Sequence, residues 1–160
     1  MVICAAMPDY RPNGYHSITP VINVRGAAAY LGFLRQAFDA EVLSRSAQLD
    51  GTVVSAQVLM GDSLLEITEA RTDSQPTVVL LHLYVRDVDA AYHNALGAGA
   101  ASLRAPANHY YGDREAKVKD AWGITWRLAT HVEDIDPEEM ARREEEFMSQ
   151  RERRSSWPQG

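Results

Sequence analysis

Two successive blocks of the chain each combine short apolar strands with one amphipathic helix. In the first block, residues 18–24, 41–48, 52–60 and 63–68 have the length and alternation of strands. Residues 26–38 repeat apolar side chains at helical spacing, as a helix packed on a sheet does. Asp50-Gly51 joins the second and third strands with a hairpin signal. The pattern therefore predicts a βαβββ module.

The same order of elements returns after a polar linker at residues 71–76. Residues 78–85 are typical of a strand, residues 87–96 of a helix, and residues 101–104 of a second strand. Val24-Arg25 and Val85-Arg86 each precede a helix that contains Ala and Tyr. We infer an internal duplication, two βαβββ modules at about 18–68 and 78–130, and an α+β fold class.

The last hairpin is the most informative stretch, residues 110–130 (YYGDREAKVKDAWGITWRLAT). Strands are predicted at 115–119 and 124–130, joined by a tight turn from Asp120 to Gly123. The run resembles the YGDR…VKDPxGxxW…ATHVEDI segment of PhnB-like proteins, a branch of the glyoxalase / bleomycin-resistance / extradiol-dioxygenase (vicinal oxygen chelate) superfamily. Ala121 stands where that segment usually has Pro. The resemblance covers about residues 17–135.

This resemblance implies that residues 1–135 form one vicinal oxygen chelate domain whose curled mixed sheets surround a ligand-binding cup. It also implies a homodimer, because family members often pair modules across chains. Strand parity then separates two faces. The face expected under the helices is wholly apolar: Ile22, Val24, Leu65, Ile67, Leu81, Leu83, Val85, Trp126 and Leu128. The face expected to line the cup is mixed: Thr19, Val21, Asn23, Leu64, Glu66, Thr68, Leu80, His82, Tyr84, Thr125, Arg127 and Ala129.

Metal-dependent members of the superfamily carry His, Gln or Glu at four cup positions. Transferred residue by residue, these positions are Thr19, Glu66, Leu80 and Arg127. Only Glu66 is a good ligand, and a guanidinium repels a cation. We therefore predict no bound metal and no cofactor. A two-residue shift of the alignment would add His82, which with Glu66 still falls short of three protein ligands.

Several residues of the predicted cup have two interpretations. Glu66 and Arg127 either neutralise each other or leave Arg127 to bind a carboxylate or phosphonate. His82 is either a structural histidine or a ligand contact and general base. Asp113 and Arg114 are expected to form a local ion pair. The candidate ligand-binding residues are Glu66, His82, Tyr84, His109, Tyr110, Tyr111, Trp122 and Arg127, of which Tyr84, Tyr110, Tyr111 and Trp122 are candidate stackers.

Residues 136–160 form a separate segment. Asp136-Pro137 is a helix start, and residues 136–154 predict an exposed helix with a thin apolar stripe of Met140, Phe147 and Met148. A partner-binding role for this helix is the alternative. The tail from residue 155 onward is expected to be disordered, unless Trp157 pins it.

Composition narrows the function classes. The chain has 160 residues, 46% of them hydrophobic, which suits a single domain with a sizeable core. The formal net charge of −6, with no basic stripe in the sequence, argues against nucleic acid. The single cysteine, Cys4, suits a reducing compartment, and no apolar run approaches the ~20 residues of a membrane span. We expect a cytoplasmic protein without a signal peptide.

Three functional hypotheses follow. The favoured one is metal-independent binding of a small organic molecule, with antibiotic sequestration as the role that the resemblance implies. The alternative is a lyase, isomerase or dioxygenase whose metal is held by Glu66, His82 and further groups. The third is a structural or regulatory protein that acts through the C-terminal helix.

Overall fold

The computed structural model describes residues 10–72 and 74–155. The predictions for Cys4 and Trp157 therefore lie outside the described residues. The chain divides into two compact units, one up to Thr77 and one from Val78 onward, and each holds one of the predicted modules.

The first unit is a four-stranded mixed sheet with one helix. Its elements are β1 (Val21–Val24), α1 (Ala27–Phe38), β2 (Glu41–Ala47), β3 (Val53–Met60) and β4 (Ser63–Glu69). The strand order is β1-β4-β3-β2, with β1 parallel to β4 and the other pairs antiparallel. Strand β1 is shorter than the predicted 18–24 because its pairing with β4 begins at Val21. The preceding Pro20 has no N–H, although its carbonyl accepts a hydrogen bond from the Glu66 N–H at 2.9 Å.

The second unit repeats this topology. Its elements are β5 (Leu80–Tyr84), α2 (Val88–Gly97), β6 (Ala101–Asn108), β7 (Asp113–Lys119), β8 (Thr125–His131) and α3 (Pro137–Ser155). The strand order is β5-β8-β7-β6, again with a parallel first pair. Strand β6 continues beyond the predicted 101–104 because irregular pairing with β7 extends to Asn108. The α+β class and the βαβββ duplication are confirmed.

The starts of α1 and α2 each bond to a side chain from the last strand of their own sheet. The Glu69 carboxylate accepts hydrogen bonds from the Gly26 and Ala27 N–H groups at 2.8 and 2.7 Å. The Thr130 hydroxyl accepts one from the Val88 N–H at 2.9 Å. Acceptors at a helix N-terminus satisfy donors that have no partner inside the helix. These contacts hold both helices on the same face of their respective sheets.

The predicted division into two faces is confirmed in each unit. The apolar face packs against the helix: Ile22, Val24, Ile67, Trp126 and Leu128 are at most 1% exposed. The opposite face alternates with it and carries polar side chains. Residues of functional interest must therefore be sought on this second face.

Helix α3 is highly charged and contacts the second unit at a few points. Asp136 accepts hydrogen bonds from the Glu138 and Glu139 N–H groups, as predicted for the helix start. Arg143 donates to both carboxylate oxygens of Glu133 at 2.8 Å, and the Phe147 ring lies 4.8 Å from the Tyr110 ring. Within the described ranges, none of the helices is both long and apolar enough to cross a membrane.

Candidate functional site

The candidate site lies on the face of the second sheet that points away from α2. Strand register aligns its side chains in rows that run across the strands. His82 on β5 pairs with Arg127 on β8, which pairs with Lys117 on β7. In the next row, Tyr84 pairs with Ala129, which pairs with Glu115. Directly opposed side chains on one face lie close together, so these rows bring five polar groups into one area.

Arg127 and His82 form the centre of this area. Arg127 Nη2 lies 2.9 Å from His82 Nδ1. Because a guanidinium only donates, Nδ1 must accept, and the proton of the neutral imidazole is then on Nε2. Burial, followed by the positive charge of Arg127, lowers the pKa of His82. His82 is therefore neutral near pH 7, and its Nε2–H is directed toward Glu115, with 3.8 Å between Nε2 and Oε1.

Glu115 is a buried carboxylate surrounded by basic groups and one phenol. Its residue is 3% exposed, His109 Nε2 lies 3.9 Å from Oε2, and Arg127 Nε lies 4.0 Å from Oε1. Burial and a hydrogen bond to Glu115 raise the pKa of Tyr111. His109 Nε2 and Arg127 Nε are buried without a hydrogen-bond partner among the described residues. The gaps near 4 Å exceed hydrogen-bond length, so neither nitrogen is bonded to Glu115.

Asp113 anchors the other end of the area. It accepts hydrogen bonds from the Tyr84 hydroxyl at 2.7 Å and from His131 Nδ1 at 2.7 Å, and His131 Nε2 lies 2.9 Å from Asp134. The bond to Asp113, and then that to Asp134, raises the pKa of His131. Burial alone would raise the pKa of Asp113, but the bonds from His131 and Tyr84 outweigh it and lower that pKa.

The predicted ion pair between Asp113 and Arg114 is wrong. Successive residues of a strand point to opposite faces, so the two side chains diverge. Arg114 instead holds Asp89 of α2 with two hydrogen bonds of 2.7 and 2.8 Å. Asp113 is thereby free to bind Tyr84 and His131 on the candidate face.

Of the other predicted site residues in the second unit, three form an aromatic cluster and Trp122 lies apart from it. Tyr111 stacks on His109 with 5.2 Å between the ring centroids, and Tyr110 meets Tyr111 edge-on at 5.1 Å while also contacting Phe147 of α3. Trp122 lies in the turn after β7, about 20 Å of strand away from Tyr111, so these two side chains do not share one stacking site.

Glu66 belongs to the first unit. There it accepts a hydrogen bond from the Tyr15 hydroxyl at 3.2 Å and lies opposite Gln57 of β3. The expected Glu66–Arg127 pair stays a prediction, as do the ligand roles of the eight predicted residues.

Two carboxylates and one imidazole of the area lie close enough to be considered as a metal site. Ligand atoms of His82, Asp113 and Glu115 lie within 4.8 Å of one another. However, His82 Nδ1 already accepts a hydrogen bond from Arg127, and each oxygen of Asp113 accepts one. The Arg127 guanidinium also approaches Glu115 to 4.0 Å, where its charge repels a cation. These contacts compete with a divalent ion for the same nitrogen and oxygen atoms, and the Arg127 charge opposes it.

Glu115, Asp113 and Lys117 are the residues that sequence reasoning missed. They alternate along β7 with the buried Ala116 and Val118. Alternation along β8 placed Arg127 on the mixed face. The same alternation applied to β7, the other strand of the hairpin, would have placed these three residues beside Arg127.

Comparison with known proteins agrees with the topology. Residues 15–128 match the family model described as the Glyoxalase/Bleomycin resistance protein/Dioxygenase superfamily. The chain belongs to this superfamily. An uncharacterised protein of Mycobacterium bovis is 31% identical over 135 residues, covering 78% of this chain and 89% of that protein.

Two solved structures of similar fold are TioX from Micromonospora sp. ML1 and the fosfomycin resistance protein FosX from Mesorhizobium loti. TioX superposes with a TM-score of 0.60 at 19% identity, covering 72% of this chain and 100% of TioX. FosX gives 0.54 at 17% identity, covering 72% and 91%. At these identities the similarity shows only a shared fold. The function must therefore be argued from this chain's own residues.

Proposed function

We propose that the chain binds a small organic molecule, without a metal, on the polar face of its second sheet. The observation that carries this proposal is the position of the Arg127 guanidinium. Arg127 stands where the resemblance puts a metal ligand, and its guanidinium bonds to His82 and approaches Glu115. A fixed positive charge at this position favours an anionic or polar ligand over a cation.

The surrounding side chains support binding of an aromatic or otherwise planar ligand. The His82 and Tyr84 rings lie 4.6 Å apart, and His109 stacks on Tyr111. Aromatic walls combined with a few oriented polar groups are the usual composition of a small-molecule site. The guanidinium of Arg127 adds further N–H donors beyond the one that His82 Nδ1 accepts.

Antibiotic sequestration is the biological role that we infer for this binding. The superfamily includes bleomycin resistance proteins by name, and FosX of similar fold is a fosfomycin resistance protein. Membership of the PhnB-like branch, a cytoplasmic location and a homodimeric state belong to the same proposal.

A panel of planar aromatic antibiotics tests the proposal by thermal shift and calorimetry. At a concentration one hundred times its Kd, a ligand adds about 2.7 kcal/mol to the free energy of unfolding. We expect at least one such compound to bind equally with and without EDTA. Arg127→Gln should weaken binding about tenfold, as loss of one charge-assisted hydrogen bond does.

The matched control is Arg86→Gln, which removes the same charge from an exposed position after β5. Its affinity should equal that of the wild type. If no compound of the panel binds, or if Arg127→Gln and Arg86→Gln behave alike, the second sheet is not the binding surface.

The alternative is a metal-dependent lyase, isomerase or dioxygenase. The proximity of His82, Asp113 and Glu115 is the observation in its favour. Elemental analysis of the purified protein distinguishes the two functions. About one metal per chain, lost in the His82→Ala variant, would overturn metal-independent binding and favour the alternative.

A further inference from the structure

Three basic residues face one another across the second sheet. Arg104 on β6 pairs with Lys117 on β7, and Lys117 pairs with Arg127 on β8. We call Arg104, Lys117 and Arg127 the basic row. The row ends at His82 on β5, which the register places opposite Arg127.

The basic row has more cations than nearby carboxylates. No ion pair to Arg104 or Lys117 occurs within the described part of the chain, and Arg127 reaches its only nearby carboxylate, Glu115, at 4.0 Å. Like charges placed directly opposite on neighbouring strands are destabilising. Glu115 can offset one of these three positive charges, so the row keeps an excess of positive charge. A bound anion would relieve this repulsion.

We propose that the basic row binds the oxyanion group of a small organic ligand, with a phosphate monoester or phosphonate as the preferred class. This inference rests on the proposed function, because it uses the same sheet face. A dianionic group matches three facing cations better than a single carboxylate does. Arg127 and Arg104 can each offer two parallel N–H donors to such oxygens, while Lys117 between them supplies a point charge.

The dimensions of the row favour one small group over a polyanion. Neighbouring strands lie about 4.8 Å apart, so the backbone positions of Arg104 and Arg127 are about 10 Å apart. Long side chains converging from that separation can enclose a single phosphate. A nucleic acid needs a longer basic track and would be repelled by the overall acidic charge.

Tyr84, His109 and Tyr111 define the rest of the ligand. They lie in or beside the next row, around Glu115, so they flank the basic row along the strands. An aromatic body attached to the oxyanion would reach these rings while its charged end occupies the row. Aryl phosphates are therefore suitable probes.

Calorimetry with phenyl phosphate, benzoate and benzyl alcohol tests the inference, because the three probes share a ring and differ in charge. We expect phenyl phosphate to bind most tightly and benzyl alcohol most weakly. Lys117→Gln and Arg104→Gln should each lower the affinity for phenyl phosphate about tenfold. Rising salt should weaken wild-type binding more than binding by either variant.

Arg86→Gln is again the charge-matched control, and thermal denaturation shows whether each variant is folded. Equal affinity of Arg104→Gln, Lys117→Gln and Arg86→Gln for phenyl phosphate would overturn the inference. So would equal affinity of the wild type for phenyl phosphate and benzyl alcohol, or no binding of phenyl phosphate at millimolar concentration. If uncharged planar compounds still bind in those cases, the proposed function stands while the oxyanion site is rejected.

Discussion

The turn between β7 and β8 depends on one buried carboxylate. Asp120 is 4% exposed, and its Oδ1 accepts hydrogen bonds from the Trp122 and Ile124 N–H groups at 3.0 and 2.9 Å. Its Oδ2 accepts one from the indole N–H of Trp126 at 3.0 Å. Trp126 is among the largest fully buried side chains, so this carboxylate connects the turn to the core. Replacing Asp120 by Ala removes all three hydrogen bonds at once.

The expected cost is large because two of the three donors, the Ile124 N–H and the Trp126 indole N–H, make buried bonds. A buried donor left without a partner costs about 1–3 kcal/mol, and the three costs are not additive since they share one site. We therefore expect Asp120→Ala to lower the free energy of unfolding by about 3–5 kcal/mol. That is a large part of the ~5–15 kcal/mol typical of a natural domain. Combining it with Trp126→Phe, which deletes the indole donor, should cost less than the sum of the two single changes.

Urea denaturation followed by tryptophan fluorescence measures these differences. Asp50→Ala is the matched control, because Asp50 holds the corresponding kind of turn in the first unit through one exposed bond to the Thr52 N–H. We expect it to cost less than about 1 kcal/mol. Asp120→Ala costing no more than Asp50→Ala, or additive effects with Trp126→Phe, would refute the reasoning.

Two further predictions follow from backbone and charge geometry. Gly112 has φ +90°, and an added Cβ would clash with the Glu133 carbonyl, so Gly112→Ala should cost more than about 2 kcal/mol by denaturant titration. Gly123→Ala, at φ +93° with open space around it, should cost only about 1–2 kcal/mol, and equal costs would contradict the clash. In NMR titrations, His131 should have a pKa above the ordinary value of about 6.5 and His82 a pKa below it. His131 therefore stabilises the fold below its unfolded pKa, and this contribution is lost as the pH rises through its folded pKa. His131→Asn should flatten that part of the stability profile, whereas an unchanged profile would mean that the bonds to Asp113 and Asp134 do not form.

The sequence by itself determined the fold class, the duplication and the division of each sheet into two faces. Apolar spacing fixes helix and strand locally, and alternation fixes which side chains share a face. Turn residues such as Asp120 and Gly123 mark the hairpin through their own backbone preferences. Element ends were less well predicted: β6 runs to Asn108 because its partner β7 continues to offer hydrogen bonds, which no local pattern encodes.

The tertiary structure alone decided the chemistry of the face. The linear sequence shows no basic stripe, because Arg104, Lys117 and Arg127 are separated along the chain. They become neighbours only through strand register. Strand register likewise places His82 beside Arg127, and it places Asp113 beside Tyr84 and His131. Proximity in the sequence had instead suggested Arg114 as the partner of Asp113. Periodicity predicts the face of the sheet on which a side chain lies. Which charges it meets depends on pairing between strands that the sequence leaves far apart, and this pairing sets both the burial and the protonation of the candidate site.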